Sequence, residues 1–408
     1  MGEVIAHAAV EAVARNSYGR LVAYLAARSG DVAGAEDALS EAFGTALQRW
    51  PVDGVPQKPE AWLLHAARNR LIDSTRRAQV RKKYETFLQV AHEAGDVATM
   101  TSIFPDERLK LLFVCAHPAI DVAARTPLML QTVLGLDAAR IASAFLVSPA
   151  AMEQRLVRAK NKIRDAGIPF RVPESPEWEE RVSFVLDAIY SAYTAGWENA
   201  IDDGSTHHAL ALDAVAIGRT LVQLVPNEPE AHGLLALMLH CEARREARHT
   251  RVGEFVPLDR QDPALWSRLL IDDAEKHLRA ASALNRMGRY QIEAAIQSVH
   301  AHRVVSGVID WQEIGLLYEG LVRLAPTMGA QVGRAVALAE SGNVAAGLAV
   351  LDEISGDRTA NYQPWWAARG HLLRRSGRNA EAGAAYERAA SLTDDPALRA
   401  HLLERAAQ

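Results

Sequence analysis

The sequence predicts an all-α protein, and three observations carry that prediction. Apolar residues recur at i, i+3, i+4 and i+7 along most of the chain, with few β-branched alternations. Helix-start chemistry (Asp31, Asp137, Ser148-Pro149) stands directly before those runs, and Gly or Pro clusters follow them. Two segments, GNVAAGLAVLDEI from Gly342 and GRNAEAGAAYERA from Gly377, repeat at a period of 35 residues.

Bulk properties narrow the class. The 408 residues are 49% hydrophobic and 23% charged, enough for several domains with real cores. Cys115 and Cys241 are the only cysteines, too few for a disulfide framework. There is no run of about 18 uncharged apolar residues and no basic, secretory-type N-terminus. A cytoplasmic protein without a membrane partner is expected. The net charge of −5 conceals an asymmetry: residues 1–170 carry 21 Lys+Arg against 18 Asp+Glu, leaving 24 against 32 for 171–408. Seven basic residues against one acidic fall within 65–83, and five against none within 155–164. Each cluster suits phosphates; a solvated face is the bland alternative.

The first helix is read over 1–28, where Val10, Val13, Ala14, Leu21, Val22 and Leu25 make a stripe that Gly30-Asp31 interrupts. In the second, capped by Asp31, the buried stripe is Val32, Ala35, Ala38, Leu39, Ala42, Phe43, Ala46 and Leu47, with Glu36, Asp37, Ser40, Glu41 and Gln48 outside. A stiff Pro-containing loop at 50–59 leads to a helix starting at Pro59. Its inner residues are Leu63, Leu64, Ala67, Leu71 and Ile72. Trp62, His65, Arg68, Asn69, Arg70, Arg76 and Arg77 occupy the rest, a mixture suited to stacking on bases while holding phosphates. Residues 84–104 read as a linker.

RLKLLFVCAHPAI then reads as a buried helix, and DVAARTPLMLQTVLGL as the helix before a helix-turn-helix at Leu136–Ala166. In its first helix Ala138, Ile141, Ala142 and Phe145 form the stripe; in the second, Met152, Leu156, Ala159 and Ile163. The exposed side of the second helix offers Glu153, Gln154, Arg155, Arg158, Asn161 and Lys162, donors of the kind that enter a major groove. Pro169, Pro173 and Pro176 mark a semi-rigid boundary. Helical patterns continue through VLDAIYSAYTAGWENA and PNEPEAHGLLALMLHCEARREARH, with a hairpin-like excursion at RVGEFVPLDRQDPALW. QIEAAIQSVHAHR and WQEIGLLYEGLVRLAP keep the helix-pair rhythm, and DDPALRAHLLERAAQ reads as a cap. In the repeat, Ala345 and Ala380 are expected where helices cross.

The combination AEDALSEAF, Pro-containing loop, AWLLHAARNRLID-x-x-RR resembles region 2 of bacterial extracytoplasmic-function sigma factors. The helix-turn-helix ending in QRLVRAKNKIR is similar to their region 4. The long helical remainder resembles the tetratricopeptide-like extension of one subfamily. The resemblance implies two small helical sigma domains followed by a helical-repeat region: a region 2 domain at 1–83, linker 84–104, region 4 domain 105–168, Pro-rich linker 169–177, helical extension 178–289 and repeats 290–408. It implies an alternative sigma factor that binds core RNA polymerase, through the β′ clamp helices and the β flap, and directs initiation at specific promoters. Glu36, Asp37, Ser40, Glu41 and Phe43 would face the polymerase. Trp62, His65, Arg68, Asn69, Arg70, Arg76 and Arg77 would take the single-stranded minus-ten element. Ser148, Glu153, Gln154, Arg155, Arg158, Lys160 and Lys162 would meet the minus-thirty-five duplex, with Glu153 where many members have a basic or small residue. The extension would regulate, touching the sigma domains or holding a peptide or protein in its groove. The competing readings are a tetratricopeptide-type adaptor and a conventional helix-turn-helix regulator.

No phosphate loop, nucleophile elbow or carboxylate pair is present in the sequence, so neither an enzyme nor a cofactor is expected. Cys115 with His117 lacks a second ligand pair. The set His207, His208, His232, His240, Cys241 and His249 reads as a histidine-rich surface without a metal.

Overall fold

The computed structural model describes residues 2–77, 106–145, 147–173, 177–198, 206–354, 356–357 and 359–408. The 84–104 linker lies outside them. Among the described residues there are eighteen α-helices, three short 3₁₀ turns and one isolated β-bridge, so the fold is all-α. Two compact units divide the chain, Met1–Ile217 and Gly218–Gln408.

The first unit opens with three mutually packed helices, α1 (Gly2–Ser29), α2 (Val32–Asp53) and α3 (Pro59–Arg77). Gly30, at φ 69°, ends α1 in the left-handed region that favours glycine and frees Asp31 to cap α2. The Gly34 N–H donates to the Asp31 carboxylate at 3.1 Å. Leu21, Leu39, Leu63 and Ala67 are fully buried between these helices. The α2 stripe ends differently from the sequence expectation. Ala46 and Trp50, one turn apart, complete it, and Leu47, about 100° further round the axis, is exposed. Phe43 is half-buried.

Four helices follow: α4 (Arg108–Cys115), α5 (Val122–Thr132), α6 (Ala138–Ala144) and α7 (Pro149–Asp165). The caps read from the sequence at Asp137 and Ser148 are made, and the structure adds one at Asp121. Asp121 accepts from Ala123 N–H at 2.9 Å, Asp137 from Arg140 N–H at 2.8 Å, and Ser148 from Ala151 N–H at 3.3 Å. Phe113, Leu128, Met129, Ile141, Met152 and Leu156 fill the interior. Phe145 is a second departure: α6 stops at Ala144, and the ring stays exposed beyond its end. Cys115 is buried 3.7 Å from the Thr132 hydroxyl, and burial pushes its thiol up to about 12. Helix α8 (Glu179–Glu198) packs on α5, with the Arg125 guanidinium 4.7 Å over the Phe184 ring. Arg108 reaches Asp106 and, at 3.1 Å, Asp213 on α9 (Thr206–Leu224).

In the second unit α10 (Pro229–Ala243) is buried nearly all round by α11 (Arg268–Ala283) and α12 (Arg289–Ser306). Glu230 caps α12 from outside it, accepting the N–H groups of Tyr290 at 2.9 Å and Gln291 at 3.1 Å. Because α10 is enclosed, His232 and His240 are core residues, correcting the surface reading. His232 lies with its Nδ1 3.0 Å from that of His277 and its Nε2 3.0 Å from the Pro226 carbonyl. Among the described residues no group of three or more metal-type side chains assembles. The 251–266 excursion consists of the His249–Phe255 bridge and two 3₁₀ turns. Arg303 pins it, donating to the carbonyls of Leu258, Asp259 and Gln261 and lying 4.9 Å over the Trp266 ring.

Helices α13 (Trp311–Leu324), α14 (Met328–Glu340), α15 (Val344–Glu353), α16 (Gln363–Arg375), α17 (Asn379–Ser391) and α18 (Pro396–Ala407) then stack in sequence. Gly342 and Gly377 take φ of 102° and 80° at equivalent turns. The crossing itself falls two residues later than the sequence suggests. Ala345 and Ala380 are exposed, and the buried small residues are Gly347 and Ala382. A Cβ on Gly347 would lie 2.5 Å from the Ala335 carbonyl oxygen.

His300 gives this unit an acid sensitivity. It is 7% exposed, edge-on to Trp311 at 5.5 Å. Burial, then the Arg244 and Arg303 charges, lower it from 6.5 to about 4. A histidine held neutral in the fold contributes stability present above its unfolded value, lost as pH falls from 6.5 through about 4. The expected loss is about 3 kcal/mol. Urea unfolding of the chain and of its His300→Leu variant at pH 7 and pH 4 checks this; equal acid sensitivity in the two would contradict it.

Candidate nucleic-acid interface

The exposed side of α3 follows from its period. With Leu63, Leu64, Ala67 and Leu71 turned inward, positions 62, 65, 66, 69 and 70 form a second face. That face borders the last two turns of α2, and a groove of about 300 Å³ lies between them, lined by Thr45, Arg49, Trp62, His65, Ala66, Asn69 and Arg70. Trp62 is half-buried, its ring T-shaped against Trp50 at 5.5 Å and 70°. Trp50 is 2% exposed and anchors the pair. The Asn69 amide stands 3.4 Å from His65 Nδ1. Arg70 pairs with Glu41 and donates to the Thr45 hydroxyl at 3.3 Å, tying the groove walls together.

The structure therefore brings four of the seven minus-ten candidates, Trp62, His65, Asn69 and Arg70, to one groove. Arg68 is half-buried and does not line it. Arg76 and Arg77 occupy the last turn of α3, their side chains outside the described part. Thr45 and Arg49 were missed. The signal for them is the spacing of Glu41, Thr45 and Arg49, four residues apart on one helical face.

On α7, Ser148 caps the helix while Glu153, Gln154, Arg158 and Lys162 are exposed. Arg155 is half-buried, its guanidinium 3.4 Å from the Ala123 carbonyl, and Arg158 bends back to the Gln154 carbonyl at 3.3 Å. Both bonds are long and single, so either side chain can turn outward at little cost. Lys160 differs. It points away from the others and pairs with Glu36 on α2. Of the five α2 candidates, Asp37, Ser40 and Glu41 are exposed, Phe43 is half-buried, and Glu36 is covered. Burial pushes the Glu36 carboxyl up, and Lys160 offsets only part of that.

Comparison with known proteins bears on these placements. Residues 14–81 match Sigma-70 region 2, and residues 181–282 match a family of unknown function, DUF6596. An uncharacterized protein of Rhizobium meliloti (strain 1021) is 37% identical over 377 residues, covering 90% of this chain and 88% of that protein. No solved structure gives a significant match. The region 2 match spans α1 to α3 and the groove between α2 and α3. It gives the N-terminal helices a sigma-factor-like role in transcription initiation, with core RNA polymerase and promoter DNA as partners. No helix among the described residues is long and apolar enough to cross a membrane. The chain belongs to the family of sigma-70-like factors in which a region 2 domain is followed by a DUF6596 extension.

Proposed function

We propose that the protein is an alternative sigma factor of the extracytoplasmic-function type, regulated by its own helical C-terminal region. The observation that carries this is the α2–α3 groove. It combines a tryptophan face, an amide and two guanidiniums on the segment that matches region 2. A base that has left the stack needs an aromatic face and polar edges around it, with cations for the flanking phosphates. Trp62 supplies the face, Asn69 and His65 the polar edges, Arg49 and Arg70 the charge. Arg68, Arg76 and Arg77 are further cations of the same helix for the phosphates of the strand.

Helix α7 reads the minus-thirty-five duplex. Gln154 and Arg155 reach base edges, Ser148, Arg158 and Lys162 hold phosphates, Glu153 accepts from a cytosine amino group, and Lys160 joins them once released from α2. Asp37, Ser40, Glu41, Phe43 and Glu36 dock on the β′ clamp helices, and the region 4 helices contact the β flap. The repeated pairs α14/α15 and α16/α17 are tetratricopeptide-like, and their groove takes a peptide or protein. The packing of α8 on α5 supports a direct influence of the extension on the helix-turn-helix.

Gel filtration with core RNA polymerase tests the first step. The chain is expected to co-elute with core, and Asp37→Arg/Glu41→Arg to lose that complex while keeping its helical content. A chain that never associates with core would contradict the reading.

A further inference from the structure

We propose that the arginine-lined cavity between α1, the α5–α6 turn and α9 binds a nucleoside diphosphate. Occupancy of this cavity does not require polymerase and goes beyond the function proposed above.

The cavity follows from how α5 ends. Gly135, at φ 68°, turns the chain through the left-handed region. Its N–H donates to the Gln131 carbonyl at 3.1 Å, and that of Leu136 to the Leu130 carbonyl at 3.0 Å. The reversal brings Leu136 and Arg140 beside α1. Helix α1 meets this turn backbone to backbone, since Gly19 has no room for a Cβ before the Val133 carbonyl. The space left is about 330 Å³, at the lower end of the range for small-molecule sites.

Its charge is one-sided. Arg15 and Arg20 line it from α1, Arg108 from α4 and Arg140 from α6, against the lining carboxylate of Asp213 on α9. The Arg108 side chain is only 8% exposed and is fixed to Asp106 at 2.8 Å and Asp213 at 3.1 Å. Asp106 registers the local field. Burial raises its carboxyl, yet Arg108 and then Arg20 hold it below the ordinary carboxylate value. The remaining lining is largely apolar. It includes Leu134, Leu136, Leu210 and the Tyr18 ring, whose Cδ1 lies 3.8 Å from where a Cβ on Gly135 would stand.

The chemistry selects among anions. Guanidiniums grip carboxylates and phosphates alike through paired N–H donors. The chain already supplies simple carboxylates here, Glu11 to Arg15, and Asp106 and Asp213 to Arg108. A ligand must therefore offer more than one carboxylate does. A diphosphate does so, because several guanidiniums share the oxygens of its two adjacent anionic groups. The leucines and the tyrosine ring suit the face of a base, and Asp213 can accept from a ribose hydroxyl or an exocyclic amine. Arg15 and Arg20 fall in the region 2 match, Leu210 and Asp213 in the DUF6596 match. A nucleotide held here touches both and gives the extension a chemical input.

Isothermal titration of the full chain with ADP, GDP, CDP, UDP and pyrophosphate tests this. At least one nucleotide is expected to bind at one site per chain, and more tightly than pyrophosphate. Arg20→Gln/Arg140→Gln is expected to weaken that binding about tenfold or more. Arg140→Glu alters a single exposed position on α6, so the fold should survive, and is expected to weaken it likewise. Arg49→Ala/Trp62→Ala locates the ligand, because the α2–α3 groove also offers guanidiniums and a ring; nucleotide affinity should be unchanged. Binding by none of the nucleotides, or binding that neither arginine variant weakens, overturns the proposal. Pyrophosphate binding as tight as every nucleotide overturns it too. Loss with Arg49→Ala/Trp62→Ala but not with Arg140→Glu puts the ligand in the groove and overturns the cavity assignment. Core polymerase binding, measured on the same chain, keeps the two readings apart. A chain that binds core and no nucleotide sinks the cavity alone, and one that binds nucleotide and never core sinks the sigma-factor reading alone.

Discussion

Replacing Arg155 and Arg158 together by alanine is expected to weaken promoter binding by the holoenzyme by about 1–3 kcal/mol for the Arg155 base contact, with the loss of the Arg158 phosphate contact added to it. Both sit on the exposed side of α7, each with one long hydrogen bond to a carbonyl that it can exchange for DNA. The buried side of the helix, Met152, Leu156, Ala159 and Ile163, is untouched, so the fold should survive. Two further readouts separate this from a general loss. The slope of log affinity against log salt should fall by about one for each phosphate contact removed. Complex formation with core polymerase should persist, because the α2 face is unaltered. Unchanged promoter affinity and salt slope would remove α7 from the DNA.

The tryptophan pair gives the largest expected effect on stability. Trp50→Ala deletes a ring that is 2% exposed and fills the junction of α2 and α3, and is expected to cost about 3–5 kcal/mol. Trp62→Ala removes the other ring of the same contact, but one already half in solvent. Its main effect should fall on strand capture, about 1–3 kcal/mol for the loss of one stacking face. Thermal unfolding followed by circular dichroism measures the first effect, and permanganate reactivity of unpaired promoter thymines the second. If Trp62→Ala melts as early as Trp50→Ala and opens promoters normally, its ring belongs to the core and not to the site.

Local chemistry made most of the helical architecture readable in advance. Asp31, Asp137 and Ser148 cap the helices they precede, since an N-cap needs only a side-chain acceptor and the next few backbone donors. The α7 stripe is buried as its period requires. Errors arose where tertiary packing decides. Leu47 and Phe145 satisfy the helical period yet face solvent, because Trp50 completes one stripe and α6 ends before the other does. His232 and His240 look polar in sequence but are enclosed by α11 and α12, helices far along the chain. The groove followed the same division. Trp62, His65, Asn69 and Arg70 could be read from one helix, whereas Thr45 and Arg49 join them only when α2 is laid beside α3. Nothing local signals that Glu36 and Lys160, 124 residues apart, meet.

Promoter-dependent run-off transcription with purified core RNA polymerase addresses the central claim most directly. A promoter selected from genomic fragments by the holoenzyme should give a discrete transcript when the chain is added to core. The transcript should fall to background with Arg155→Ala/Arg158→Ala and fall sharply with Trp62→Ala. Core that yields no promoter-dependent transcript with this chain, or yields the same transcript with those variants, would contradict the assignment of α2, α3 and α7 to initiation.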